Sequence, residues 1–420
     1  MLLIKNATII DTNSKHHQKR RDILIRNGKI ESIKAKIDAP KIKVLDASDG
    51  FVSIGWLDVG VHASDPGYEH REDLSTVTAA AAAGGYTGIA CFPNTSPPIH
   101  SKSEVLYLKN NAKNKLVDLF PIGAISHNCE GKDLTEMYDM HQSGAVAFSD
   151  GRYSIQNSGM MMRALQYVKA FDGVVMNHPH DEGISDKGQL HEGRISTSLG
   201  MKGIPRLSEE IQLQRDIYLV EDVDSKLHVS NISTANSAQL IQAAKKQGLK
   251  VTASVPLLNL IFTDEVLTDF NTQFKIFPPL RENSDVEALR RGLANGTIDV
   301  ISSNHRPIEE EGKNLEFLFA SFGAIGLQTT YPLYNTYLTK VIDEEKFVDK
   351  VAVQPRQIFN LPIPRIKEDA IANLTIFHPK EEWTFLEKDI LSKSKNSPII
   401  GTTLKGKILG VVNNGKVNVF

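Results

Sequence analysis

The feature that most constrains this chain is a recurring passage in which a helical stretch ends in glycine and runs at once into a β-branched strand. "STVTAAAAAGG" leads into "YTGIACF", "SAQLIQAAKKQG" into "LKVTASV", and "DVEALRRGLANG" into "TIDVISS", with helix stops predicted at Gly84, Gly248 and Gly296. Repeated over roughly 300 residues, this is the pattern of parallel βα units, and that length suits a (β/α)8 TIM-like barrel, with a doubly wound sheet as the second choice.

The two ends of the chain read differently. Residues 1–50 hold short alternating runs, "LLIKNATII", "DILIRNGKIESI" and "IKVLDA", broken by Asn-Gly and polar turns. After about Pro364 similar runs return, "ANLTIFHP" and "KILGVVNNGKVNVF". The expected α/β architecture is therefore a barrel over 51–364 and a small β-sandwich domain formed by 1–50 together with 365–420. The basic run "KHHQKRR" (Lys15 to Arg21) reads as a solvated loop.

Of 420 residues 41% are hydrophobic, enough for a sizeable core. Basic and acidic residues number 48 and 50, a net charge of −2, which gives no reason to expect a nucleic-acid or anionic-membrane partner. No apolar run approaches membrane-spanning length and the first residues lack a signal-peptide pattern, so a cytoplasmic protein is expected. Cys91 and Cys129, the only cysteines, are too few for a disulfide framework or a cysteine metal site.

In such a barrel chemistry belongs at the C-terminal strand ends. The polar residues following apolar strand-like runs are His62, Asn94, Asp150, His178, Asn231 and Asn304. Singly, each has an ordinary structural role: a hydrogen-bonded barrel histidine, a cap, or a loop-forming asparagine. Their order and surroundings make them a set.

The segments "DVGVHASDPGYEHRED", "CFPNTSPP", "GAVAFSDG", "NHPHDEG", "LHEGRISTSLGMKGIP", "LHVSNISTANS", "KIFPPLRE" and "DVISSNHRP" together resemble dihydroorotase of the amidohydrolase superfamily, in the long form found beside aspartate transcarbamoylase. The resemblance continues to "SKSKNSPIIGTTLKGKILGVV" near the C-terminus. It implies a metal-dependent barrel that interconverts carbamoyl-aspartate and dihydroorotate in pyrimidine synthesis.

Carried over position by position, the resemblance also marks losses. The His-x-His of the first barrel strand becomes Gly60 and His62. The bridging carboxylate falls on Asp150 and the next histidine on His178, both present. A further histidine ligand is replaced by Asn231, and the metal-binding, proton-shuttling aspartate by Asn304. The arginine that grips the substrate carboxylate is replaced by Ser64, while its companion Asn94 remains. Glycine offers no donor, and an amide oxygen is a weak ligand beside imidazole or carboxylate. An amide at Asn304 cannot act as base, and His305 beside it would point elsewhere.

The implied protein is thus a dihydroorotase-like pseudoenzyme with a degenerate zinc site: no catalytic residue, no cofactor beyond at most one weakly held zinc on the vestigial His62, Asp150 and His178. Its role would be structural or regulatory, with aspartate transcarbamoylase or a second copy of itself as partner. The competing reading is an active single-metal cyclic-amide hydrolase on the same three residues, against which stands the neutrality of every altered position. A third keeps the pocket as a small-molecule sensor, using Asn94 and the "FGAIGLQTTYP" stretch (Phe322 to Pro332). Leucines in "TASVPLLNL", where the family carries histidines, suggest that the pocket is filled.

Overall fold

In the computed structural model, which describes residues 1–39 and 42–420, the glycine-terminated helices fold as their pattern requires. The helix Leu74–Ala83 starts at Asp73, whose side chain accepts from the Ser75 and Thr76 amides. It ends at Ala83 with Gly84 as its C-cap, and Gly84 stays right-handed at φ −82°. Gly85, at φ +91°, takes the left-handed turn that L side chains resist. Gly248 and Gly296 do the same at φ +81° and +84° after the helices Ala235–Lys246 and Asn283–Ala294.

The N-terminal strands are β1 (Leu2–Ile10), β2 (Arg20–Arg26), β3 (Lys29–Lys34), β4 (Val44–Asp46) and β5 (Phe51–Ile54). There follow β6 (Trp56–Val61), β7 (Tyr86–Cys91), β8 (Asp118–Gly123), β9 (Ala147–Phe148) and β10 (Val175–Asn177). A two-stranded ribbon, β11 (Leu190–His191) and β12 (Gly203–Ile204), precedes β13 (Leu227–Val229), β14 (Val251–Pro256) and β15 (Val300–Ser302). The C-terminal strands are β16 (Leu374–Thr384), β17 (Thr403–Asn413) and β18 (Lys416–Val419).

Eight strands form the parallel barrel in the order β6-β7-β8-β9-β10-β13-β14-β15. The seam between β15 and β6 is closed by the His62 amide, which donates to the His305 carbonyl at 3.0 Å. Asp58 spans the same seam, accepting from the Gly60 amide at 3.0 Å and the Ser303 amide at 2.8 Å. The barrel's inside is apolar, with Leu57, Val59, Ala90, Ile122, Met176 and Val300 packed above Ile358 and Phe359. Each of these side chains larger than alanine contributes on the order of 2 kcal/mol by leaving water.

The second sheet is drawn from both chain ends in the order β18-β17-β16-β5-β1-β2-β3, with β4 beside β1. Its pairings are antiparallel except those of β1 with β4 and β5. The β2–β3 and β17–β18 hairpins turn on Asn27-Gly28 and Asn414-Gly415, all four residues at positive φ, the chemistry a type I′ turn needs. Because Phe51–Ile54 pairs with β1 and β16, the chain enters the barrel at Gly55, four residues after the break expected at 50/51. Trp56 on β6 joins the two sheets, its ring 5.3 Å from both Phe347 and Phe377. Among the described residues no helix is long and apolar enough to cross a membrane. Cys91 and Cys129 are free and buried, and burial pushes both thiols upward.

Candidate functional site: a filled barrel mouth

Four of the six expected strand-end residues, His62, His178, Asn231 and Asn304, line one cavity at the C-terminal mouth of the barrel. Its volume is about 30 Å³. That is one water's share of the liquid, far below the roughly 300 Å³ at which small-molecule pockets begin. Phe92 and Phe277 supply its apolar wall, and Ser230, Gly151, Arg152 and Arg306 complete it. The leucines expected to fill the space do not: Leu257 and Leu260 are buried in the main core behind the mouth.

Phe92 explains Gly60. A Cβ built on Gly60 would lie 2.4 Å from both Cε2 and Cζ of the Phe92 ring. The ring, whose centroid is 5.1 Å from that of His62, thus occupies the volume that a side chain at position 60 would need.

Asn231 and Asn304 are bound to each other. Asn231 Nδ2 donates to Asn304 Oδ1 at 3.2 Å, and Asn304 Nδ2 donates onward to the Phe277 carbonyl at 3.0 Å. Asn231 Oδ1 accepts from the Ser302 and Ser254 hydroxyls at 2.6 and 3.3 Å. Both asparagines sit at positive φ, +62° and +49°, a conformation this side chain tolerates better than most. The result is an amide chain that ties the middle of β14 and the end of β15 to Asn231, two residues beyond β13.

Asp150 and Asn94 stand behind the cavity. Asp150 Oδ1 accepts from the Ile125 and Ser126 amides at 2.9 Å each, and its Oδ2 from the Ser126 hydroxyl. Burial nevertheless pushes this carboxyl up to about 6, against those bonds. Asn94 Nδ2 donates to the Asp150 carbonyl at 3.0 Å, and its Oδ1 accepts from the Arg152 amide at 2.9 Å. The retained asparagine therefore holds the 150–152 turn. Ser64, where the resemblance placed an arginine, lies buried at φ +63° with its carbonyl accepting from the Tyr68 amide at 2.8 Å.

The histidines have separate fates. His178 Nδ1 donates to the Ser230 carbonyl at 2.9 Å, while its buried Nε2 has no partner. Burial holds His178 below its usual value; His62 lies well below, through burial and the nearby charges of Arg306 and Arg152. His305 Nδ1 accepts from the Gly326 amide at 3.2 Å, and its Nε2 meets Glu72 at 3.4 Å, so neither nitrogen reaches the cavity. His228 sits deeper, with Nδ1 3.0 Å from the Thr252 hydroxyl in register with Met176.

Sequence reasoning missed Phe92, Phe277, Arg152 and Arg306. Charge enters the site from residues near, not at, the expected strand ends: Arg152 is two residues past Asp150, and Arg306 two past Asn304. The signal was available for Arg306, which stands inside "DVISSNHRP", and for Arg152 only as the residue next after "GAVAFSDG".

A barrel joined to a sheet from both chain ends is an architecture shared with solved amidohydrolases. The L-hydantoinase of Arthrobacter aurescens superposes with a TM-score of 0.87 at 24% identity, covering 100% of this chain and 97% of its own. In sequence, a dihydroorotase of Pelotomaculum thermopropionicum is 40% identical over 418 residues, 99% of this chain and 98% of its own. One of Geotalea daltonii is 39% identical over 419 residues, with the same coverage. The family model described as dihydro-orotase-like matches residues 50–237. The chain belongs to the dihydroorotase family.

The zinc that this family implies does not fit the residues as they are placed. Zinc takes three or four N, O or S donors. Among the described residues no three His, Cys, Asp or Glu side chains come together as a group able to hold a metal. Asp150 spends both oxygens on Ile125 and Ser126, and the amide oxygens of Asn231 and Asn304 are engaged as acceptors. The charged side chains lining the cavity are those of Arg152 and Arg306, which repel a cation.

Proposed function

We propose that this chain is a dihydroorotase homologue of pyrimidine biosynthesis that does not catalyse the reaction and serves as a structural or regulatory partner of an aspartate transcarbamoylase. One observation carries the loss of catalysis: the centre of the barrel mouth is filled from within, by the Phe92 ring at Gly60 and the Asn231–Asn304 amide pair. Opening a cyclic amide needs an activated water to lose a proton and the leaving nitrogen to gain one. Asn304 has no proton to exchange near neutral pH. The partner reading is supported by the resemblance to the long form that accompanies aspartate transcarbamoylase, and by the match to relatives across 99% of the chain. A full frame around a filled centre is what retention for assembly requires.

A single-metal hydrolase on His62, Asp150 and His178 has one observation in its favour, the unpartnered Nε2 of His178. Assay of the purified protein in both reaction directions, with and without added zinc, separates the two. We expect no turnover above background. Zinc-dependent turnover abolished by His178→Ala would establish the hydrolase instead. Co-expression with the aspartate transcarbamoylase of the same genome should yield a stable complex, and failure to associate removes the partner half of the proposal.

A further inference from the structure

Arg306 carries a charge that its surroundings leave unmatched. Its backbone is tied down, the amide donating to the Ala324 carbonyl at 2.8 Å and the carbonyl accepting from Asn396 Nδ2 at 3.0 Å. Its half-buried guanidinium has no hydrogen bond or ion pair among the described residues. Nearby Arg71 is paired with Glu309 at 2.5 Å. Burial, then the like charges of Arg152 and Arg71, push Arg306 down to about 10. The guanidinium is left without an anion, and its fork is built to take a carboxylate bidentately.

Arg306 lines two spaces. Inward is the water-sized cavity; outward is a pocket of about 420 Å³, within the range of small-ligand sites. Aromatic rings wall the outer pocket. Phe277 and Phe322 stand 5.7 Å apart at 74°, and His180 meets the edge of Phe277 at 4.7 Å and 89°. Burial, with the charges of His178 and Arg281, lowers His180 to about 3, so it offers a neutral ring at physiological pH. Lys187, Glu182 and Asp186 stand on the rim, where Asp186 is paired with Lys202. Arg306 thus sets an unpaired cation against the aromatic corner, while Lys187 and Glu182, unpaired among the described residues, stand at the exposed rim.

We propose that this outer pocket binds a small organic carboxylate with a planar or apolar body, the carboxylate on Arg306 and the body against Phe277 and Phe322. The site is displaced outward from the filled centre and uses neither Asn94 nor Ser64. The proposal does not rest on the loss of catalysis or on the partner, and its failure leaves both untouched.

Thermal unfolding and calorimetric titration of the full chain with orotate, benzoate and acetate test it. Orotate and benzoate should stabilise saturably and acetate much less, because it lacks a body for the aromatic wall. Arg306→Gln should weaken orotate binding at least about tenfold, with Arg306→Lys in between, since a charge-assisted fork exceeds a point charge. Phe322→Ala should weaken orotate more than acetate while leaving the unliganded protein folded. Absence of saturable binding by all three carboxylates overturns the proposal, as does orotate binding undiminished in both Arg306→Gln and Phe322→Ala.

Discussion

At Gly60 the missing side chain and the neighbouring Phe92 ring are one feature, because the ring stands 2.4 Å from where a Cβ would be. Gly60→His on its own is therefore expected to overpack the mouth and cost about 1–3 kcal/mol in urea unfolding. Phe92→Ala added to it should recover part of that loss; equal stability of Gly60→His and the unaltered chain would contradict the packing argument. Asp150 supports a second prediction. Its carboxyl is raised by burial, so its contribution to stability is full below the ordinary aspartate range and is lost as pH rises through about 6. Asp150→Asn keeps an acceptor for the Ile125 and Ser126 amides and should flatten that step in a stability-versus-pH profile. Asp150→Ala, which strands those amides, should cost about 2–3 kcal/mol. Gly60, Ser64, Asn231 and Asn304, where the resemblance implies other residues, were legible because motifs fix their places in the chain. The direction of the Phe92 ring and the pairing of the two asparagines were not, because they depend on strands far apart in sequence.

At the scale of elements, the loop after β6 is pinned to the segment following β16. Glu72 is fully buried, accepting from the Lys393 amide at 3.0 Å and from the Ser392 and Thr76 hydroxyls, with His305 at 3.4 Å. Burial alone would raise its carboxyl, but the His305 contact and those hydroxyls outweigh it and hold it below the usual glutamate range. Its stabilisation is therefore present above that range and lost as pH falls through it. Hydrogen exchange, normalised for intrinsic rates, should show protection around 392–396 falling at acid pH first. Glu72→Ala should cost about 3 kcal/mol, by stranding buried donors; unchanged stability would mean the junction is slack. The sequence-level view of the elements was sound for the long ones, where glycine and periodicity agree. It blurred at Phe51–Ile54, since "FVSI" reads equally as a barrel strand or a sheet strand. The strand-like run before Asp150 in "GAVAFSDG" marked β9, but not that only two of its residues pair.

At the scale of the whole molecule, the Trp56 junction lies between the two sheets, and the barrel seam passes through Gly60 only by its backbone amide, which donates to Asp58 at 3.0 Å. On the proposed reading, in which the mouth holds no metal, a strong chelator should leave the melting temperature unchanged. A drop on chelation would reveal a metal contributing to folding. The central claim, that the mouth no longer holds the metal of its family, is tested most directly by zinc analysis. The protein is equilibrated with excess Zn²⁺ at neutral pH, freed of unbound ion and measured by mass spectrometry, beside His178→Ala. We predict far less than one zinc per chain in both proteins; stoichiometric zinc that disappears in His178→Ala would contradict the account.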